Sequence, residues 1–230
     1  MYEFLIFDAD HTLFDFDRAE KNAIIRVLYE TGQPYNDILL ELYKNVNTAL
    51  WKKFEKNEIT QIKIKTERFR LFFEKAGITG DFQKASVNYL EYLSQGSYLL
   101  SGSEELIFTL KKSYIIGLLT NGISTVQHPR LENSVFKNVF DAVVVSGDVG
   151  VNKPDPRIFQ LLADKAGFFD KKRMLMIGDS LTSDMQGGIN YNIDTCWYNP
   201  NRKHNSTEVV PTYEISKLNE LYSILEQGRI

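Results

Sequence analysis

Near its start the chain reads Glu3-Phe4-Leu5-Ile6-Phe7-Asp8-Ala9-Asp10-His11-Thr12-Leu13, and this stretch restricts the possible folds more than any other. An apolar run this short, apolar on both alternating faces, reads as a β-strand buried on both sides. Such strands lie inside parallel sheets. The run stops at Asp8, so Asp8 and Asp10 are expected at the C-terminal edge of the sheet, where open α/β sheets bind ligands. Two carboxylates one residue apart can divide a reaction, one attacking and the other moving a proton. They can equally cap a turn, and Asp-x-Asp-x-Thr alone does not decide between the two.

The rest of the chain supplies the sheet. Tyr114–Leu119, Ala142–Val145, Met174–Ile177 and Ile193–Tyr198 are four further strand candidates, with a short sixth at Tyr213–Ile215. Between them lie amphipathic stretches: one with Leu106, Phe108 and Leu110 behind a Ser103 cap, one with Ile158, Leu161 and Leu162, and a last one with Leu218, Leu221 and Leu225 behind Ser216. Repeated strand–helix units predict a parallel, Rossmann-like α/β sheet in three layers. Pro129 falls inside one predicted helix and should shorten or kink it.

Residues 15–93 break the alternation. Asp17 with Glu20 has capping-box spacing. Ile24 and Leu28, then Ile38, Leu42 and Val46, recur at helical intervals, and Gly32-Gln33-Pro34 separates them. Thr60 caps a stretch with Ile62, Phe69, Phe72 and Phe73 that Gly77 closes, and Asp81 opens another. The expected division is a core of residues 1–14 and 94–230 with a helical cap of residues 15–93. An insertion directly after the Asp8 strand would overhang the catalytic edge. Trp51, Phe54, Phe69, Phe72 and Phe73 read as cap core.

Composition narrows the classes. The 230 residues carry a net charge of −3 without a basic block, which gives no reason to expect a nucleic acid polymer as partner. No stretch approaches the roughly 18 apolar residues of a membrane span, and no basic leader precedes the first apolar run. A single cysteine, Cys196, excludes an intrachain disulfide and a thiolate metal cluster. The expected location is cytoplasmic. Nothing in the residues distinguishes a monomer from a homo-oligomer.

Polar residues recur at the predicted strand ends: Asp8 and Asp10, then Thr120-Asn121-Gly122, then Asp179 and Asp184, with Lys153 in a loop before a helix. In a parallel sheet these ends share one side. Four carboxylates and one lysine repel one another unless a cation joins them, and an all-oxygen donor set favours Mg²⁺. Asp8, the Asp10 backbone carbonyl and Asp179 are candidate metal ligands, with Asp184 binding directly or through water. A doubly charged phosphate monoester brought to 4 Å from Asp8 meets a repulsion of roughly 8 kcal/mol at an effective dielectric of 20. That is about six decades of rate, so Mg²⁺ and Lys153 are needed to neutralise it. The Thr120 hydroxyl and the N–H groups of Asn121 and Gly122 can bind phosphate oxygens. Asp8 could then attack phosphorus, and Asp10 could protonate the leaving alkoxide and deprotonate the incoming water.

These residues, in this order, resemble the haloacid dehalogenase (HAD) superfamily of phosphohydrolases. Asp8-x-Asp10-x-Thr12 looks like its first motif, Thr120-Asn121-Gly122 its second, Lys153-Pro154 its third and Gly178-Asp179-Ser180-x₃-Asp184 its fourth. The helical stretch matches the C1-type cap that follows the first motif. The resemblance implies an Asp8 nucleophile, an Asp10 acid/base and a Mg²⁺ cofactor. Phe7-Asp8-Ala9-Asp10, Leu50-Trp51, Glu58-Ile59-Thr60, Gly187-Gly188-Ile189-Asn190 and Thr195-Cys196-Trp197 are similar to the YjjG/YfnB-type nucleotidases. That group implies hydrolysis of nucleoside 5′-monophosphates, pyrimidine ones especially, so the expected partner is a small phosphate monoester. His11 stands where that group often has an acid. His11, His128 and His204 have no role in the expected reaction. Phosphatases of other small metabolites and a sugar-phosphate mutase use the same site. A metal-independent 2-haloacid dehalogenase needs neither Asp10 nor the Asp179/Asp184 pair. A receiver-like phosphoacceptor would be about half this length and have no cap.

Overall fold

The structure is a computed structural model and describes residues 1–56 and 58–227. Its centre is a six-stranded, wholly parallel sheet of β1 (Phe4–Phe7), β2 (Ile115–Thr120), β3 (Ala142–Val145), β4 (Met174–Gly178), β5 (Asp194–Tyr198) and β6 (Tyr213–Ile215), in the order β3-β2-β1-β4-β5-β6. The first strand lies in the middle, with Phe7 level with Leu118 of β2 and Ile177 of β4. Strand order therefore reverses between β1 and β4, which opens a crevice beyond their C-terminal ends.

Alternation along β1 feeds two cores. Leu5 and Phe7 pack with Leu106, Ile107 and Leu110 of α5 (Ser103–Leu110) and with Leu221 and Leu225 of α10 (Leu221–Gln227). Phe4 and Ile6 pack on the opposite face with Ile158, Phe159 and Leu162 of α8 (Pro156–Ala166) and Tyr191 of α9 (Gln186–Tyr191). Each such side chain removed from water contributes roughly 1.5–3 kcal/mol. Helices on both faces explain why the strands carry no polar alternation. Buried Cys196 is part of the first core.

Between β1 and α5 lie α1 (Phe16–Glu30), α2 (Asp37–Glu55), α3 (Gln61–Ala76) and α4 (Phe82–Ser94), and no strand occurs there among the described residues. Asp15, Asn36, Thr60 and Asp81 cap them, each side chain accepting a backbone N–H. Gly77 ends α3 in the left-handed region, as its sequence position suggests. Tyr43, Phe69, Phe72, Phe73 and Tyr89 form a third core in this four-helix segment, which also takes in Ile123 and Val126 beside and within α6 (Ser124–Glu132).

Several local expectations are corrected. Asp15, not Asp17, caps α1, and Glu20 turns inward, so the Asp17/Glu20 spacing is not a capping box. Gly102 in left-handed conformation starts α5, while Ser103 is its first residue and bonds Leu100. Lys217 rather than Ser216 precedes the last helical stretch, and Ser216 is bound by Glu220. Ile38 and Ile62 face solvent, because the apolar stripes of α2 and α3 run through neighbouring positions instead. Pro129 stays inside the nine-residue α6.

Candidate active site

The site forms where β1, β2 and β4 end. Past Asp8 the backbone closes a tight loop in which Leu13 and Phe14 both donate to the Ala9 carbonyl. His11 sits in this loop at φ 62°, a conformation that histidine adopts more readily than bulky residues. Asp8 and Asp10 are thereby presented to one cleft, which also receives Thr120, Asn121 and Gly122 from the end of β2 and Asp179 and Asp184 from the end of β4.

Lys153 is the hub. It is 1% exposed, and its Nζ donates to Asp8 Oδ1 (2.5 Å) and the Leu119 carbonyl (2.7 Å), and pairs with Asp184 Oδ1 at 2.7 Å. All three ammonium protons are used. Burial works against the ammonium, but the charges of Asp184 and Asp8 outweigh it and hold Lys153 above the ordinary lysine range. The chain places Lys153 through Asn121, whose side chain accepts from the Lys153 N–H (2.8 Å) and donates to its carbonyl (2.9 Å). The Asn121 amide is thus engaged by the lysine loop through both its oxygen and its nitrogen.

Asp184 is fully buried and accepts from the Ser180 N–H at 3.0 Å. It packs so closely on Gly178 that a Cβ there would lie 2.3 Å from its Oδ2, so the end of β4 needs glycine. Asp179 is partly exposed in the cleft, and its carbonyl accepts from the Trp197 indole at 2.9 Å. One oxygen each from Asp8, Asp179 and Asp184 can be chosen so that all lie within 4.8 Å of one another. Burial pushes the Asp8 carboxyl well above the ordinary range, and the charges of Asp184 and Asp179 add to this against the pull of Lys153. Burial and the Asp184 charge push Asp179 up to about 8. Three carboxylates around one ammonium form a site short of positive charge. Its hard oxygen donors, with no thiolate or imidazole among the three, fit a small divalent cation such as Mg²⁺.

Two residues at the site went unnoticed in the sequence. Arg130 Nη1 lies 2.5 Å from Asp10 Oδ1, and Gln127 Nε2 lies 2.7 Å from Asp10 Oδ2 and 3.1 Å from Thr120 Oγ1. Their one visible signal is position, on either side of the anomalous Pro129. His11 lines the cleft and packs edge-on against Phe16, while His128 pairs with Asp148 away from it. The cleft has a volume of about 720 Å³, and its far wall comes from α1 and α2, with Glu20, Lys44, Asn47, Thr48 and Trp51. Among the described residues, two side-chain hydrogen bonds also join the four-helix segment to the sheet edge: Thr182 Oγ1 donates to Glu55 (2.8 Å), and Gln61 Nε2 donates to the Gly122 carbonyl (3.0 Å).

An aspartate-tipped parallel sheet with a buried lysine and a paired-acid turn defines a hydrolase class. The family model for haloacid dehalogenase-like hydrolases matches residues 2–192, and the chain belongs to that family. It is 37% identical to the pyrimidine 5′-nucleotidase PynA of Streptococcus pneumoniae, over 99% of this chain and 96% of that protein. It is 32% identical to the pyrimidine 5′-nucleotidase YjjG of Escherichia coli, over 97% and 98% respectively. The magnesium-bound crystal structure of the HAD-hydrolase YfnB of Bacillus subtilis matches with a TM-score of 0.92 and 36% identity, covering 97% of this chain and 98% of that one. No helix among the described residues is long and apolar enough to cross a membrane.

Proposed function

We propose that this enzyme is a Mg²⁺-dependent phosphomonoesterase that hydrolyses nucleoside 5′-monophosphates, with pyrimidine nucleotides preferred, through an aspartyl-phosphate on Asp8. The observation that carries the reading is the grouping of Asp8, Asp179 and Asp184 about Lys153 at the C-terminal edge of the sheet. Asp8, the Asp10 carbonyl, Asp179 and Asp184 would hold the cation, Asp184 directly or through water. Bound there, Mg²⁺ supplies charge neutralisation for the phosphate and for Asp8.

The chain's own groups do the rest. Lys153 screens Asp8 from the incoming phosphate. The Thr120 hydroxyl, which already accepts from Gly122 N–H and Gln127, keeps its own proton free to donate to a phosphate oxygen. Asp8 attacks phosphorus as the ester P–O bond breaks, and Asp10 gives its proton to the departing 5′-oxygen. Asp10 then takes a proton from water as that water attacks the aspartyl-phosphate, releasing inorganic phosphate and restoring Asp8. The segment 15–93 acts as a cap, and the α1–α2 wall receives the nucleoside. A cleft of about 720 Å³ is of the size that takes small-molecule ligands. The names of PynA and YjjG, at 37% and 32% identity, support the pyrimidine preference. The free, buried Cys196 accords with a cytoplasmic location.

The test is phosphate release from a panel of nucleoside 5′-monophosphates, sugar phosphates and 2-haloacids, with and without Mg²⁺. Turnover of uridine and cytidine monophosphates that needs the metal is expected, with a loss of at least about a thousandfold in Asp8→Asn. Halide release, or full activity in Asp8→Asn, refutes the reading.

A further inference from the structure

The chain crosses between the four-helix segment and the sheet twice, and one side chain holds both crossings. Outbound, it passes Phe14 and Phe16; returning, it passes Gly96 and Ser97. The two crossings pair with each other, Asp15 N–H donating to Tyr98 (2.9 Å) and Leu100 N–H to Leu13 (2.9 Å). The Arg130 guanidinium carbon lies 5.0 Å from the Phe14 ring centre and 5.7 Å from that of Phe16. Its Nε donates to the Gly96 carbonyl at 2.9 Å, and Ser97 Oγ donates back to the Arg130 carbonyl at 2.8 Å. Gly96 is pressed against α1, where an added Cβ would lie 2.6 Å from that of Ala19. Arg130, 1% exposed, then spends Nη1 on Asp10 Oδ1 at 2.5 Å and on Gln127 Oε1 at 2.9 Å.

We propose that Arg130 is a positioning residue for Asp10 that links the seating of the four-helix segment on the sheet to proton transfer at the leaving group. This rests on the phosphomonoesterase reading above. The arginine end of this salt bridge is 1% exposed and the aspartate end 22%; burying the guanidinium is costly, so the value of the pair lies in geometry. Arg130 anchors Oδ1. Gln127, a neutral donor itself fixed by Arg130, touches Oδ2 and, from the same nitrogen, Thr120 of the phosphate-binding turn. The charged donor holds Oδ1, which leaves Oδ2 to carry and return the proton, on the side of Asp10 that shares Gln127 Nε2 with Thr120. A shift of either crossing moves Arg130 and, with it, Asp10. The step needs no further reactant: the proton goes from Oδ2 to the ester oxygen as the P–O bond breaks, and comes back from water in the second half.

The experiment separates leaving groups. A nucleoside alkoxide must be protonated as it leaves, whereas p-nitrophenolate leaves readily without an acid. The Mg²⁺-saturated wild type, Arg130→Met, Arg130→Lys and Gln127→Met are compared by rapid mixing. The readouts are the first-turnover rate with uridine 5′-monophosphate and the p-nitrophenolate burst rate with p-nitrophenyl phosphate. General acid catalysis contributes roughly 10²–10⁴-fold. Arg130→Met is thus expected to lose about 30-fold or more with the nucleotide and less than about threefold in the burst, with Arg130→Lys recovering part of the loss. Equal losses on both substrates, or no loss on either, overturn the inference while leaving the phosphatase reading intact. If Arg130→Met does not fold, Gln127→Met decides by the same contrast. A wild type that releases phosphate from no monoester overturns the reading and this inference together.

Discussion

Glu20 is a charged residue inside the four-helix segment, 4% exposed, on the cleft-facing wall. Asn47 donates to it at 2.8 Å, and Arg68 Nη1 donates to Asn47 in turn at 3.2 Å, so the carboxylate is held by a neutral relay to a buried cation. Burial dominates over the pull of Lys44 and this bond, and raises the Glu20 carboxyl above its ordinary range. In the unfolded chain it titrates at ~4.3. The native state therefore keeps a proton that the unfolded state has lost. The stability tied to that proton is fully present below the unfolded value and is lost as pH rises through the folded one. Glu20→Gln keeps an acceptor for Asn47 and abolishes this loss. Thermal unfolding should show the variant melting above the wild type at pH 7 and level with it near pH 4; a variant that melts lower at pH 7 contradicts the assignment. Other residues of the cleft show how far the sequence alone is legible. Asp8, Asp10 and Asp179 are legible because a charged side chain at the end of a fully apolar strand has no packing explanation, and Lys153 and Asp184 are legible only in combination with them. Arg130 is not, because its partner Asp10 lies 120 residues earlier and a lone arginine on a helix is usually solvated.

At the scale of elements, the strands are the more legible part of the sequence. Six short β-rich runs bounded by turn residues leave little freedom, and β3 and β6 match residue for residue. Helix starts were harder, because Phe14-Asp15-Phe16-Asp17 offers two acids with similar claims to the cap, and only packing of α1 against the return crossing selects Asp15. The end of β4 makes a sharper statement. Gly178 permits Asp184 to fold back over its own strand, which brings two acids five residues apart to one point. Gly178→Ala would force that carboxyl aside while barely disturbing a strand buried on both faces. The Mg²⁺ concentration giving half-maximal activity should rise by about tenfold or more, in the range that orienting partners of metal ligands show. Unchanged metal dependence would place Asp184 outside the cation site.

At the scale of the whole molecule, the excess of negative charge at the cleft links metal, pH and stability. With Asp179 pushed up to about 8, a cation arriving at pH 6 must displace a proton, whereas at pH 8.5 most of that work is done. Without metal, the stability tied to the Asp179 proton is lost as pH rises through about 8. Both effects act in one direction. The rise in melting temperature on adding MgCl₂ should be larger at pH 8.5 than at pH 6, and a larger rise at pH 6 would contradict the charge balance described here.

The place of β1 has a consequence for biosynthesis. The ribosome makes this strand well before one of its two hydrogen-bonding neighbours, β4, which begins at Met174. At ~5–20 residues per second, its second edge stays open for on the order of ten seconds or more. During that interval an apolar strand tipped with Asp8 has nothing to pair with on one side. The four helices that emerge next carry their own aromatic core and can shelter it. A nascent chain halted before residue 174 would then be a species for chaperones, unable to gather its acids around a cation until the second half of the sheet has been synthesised.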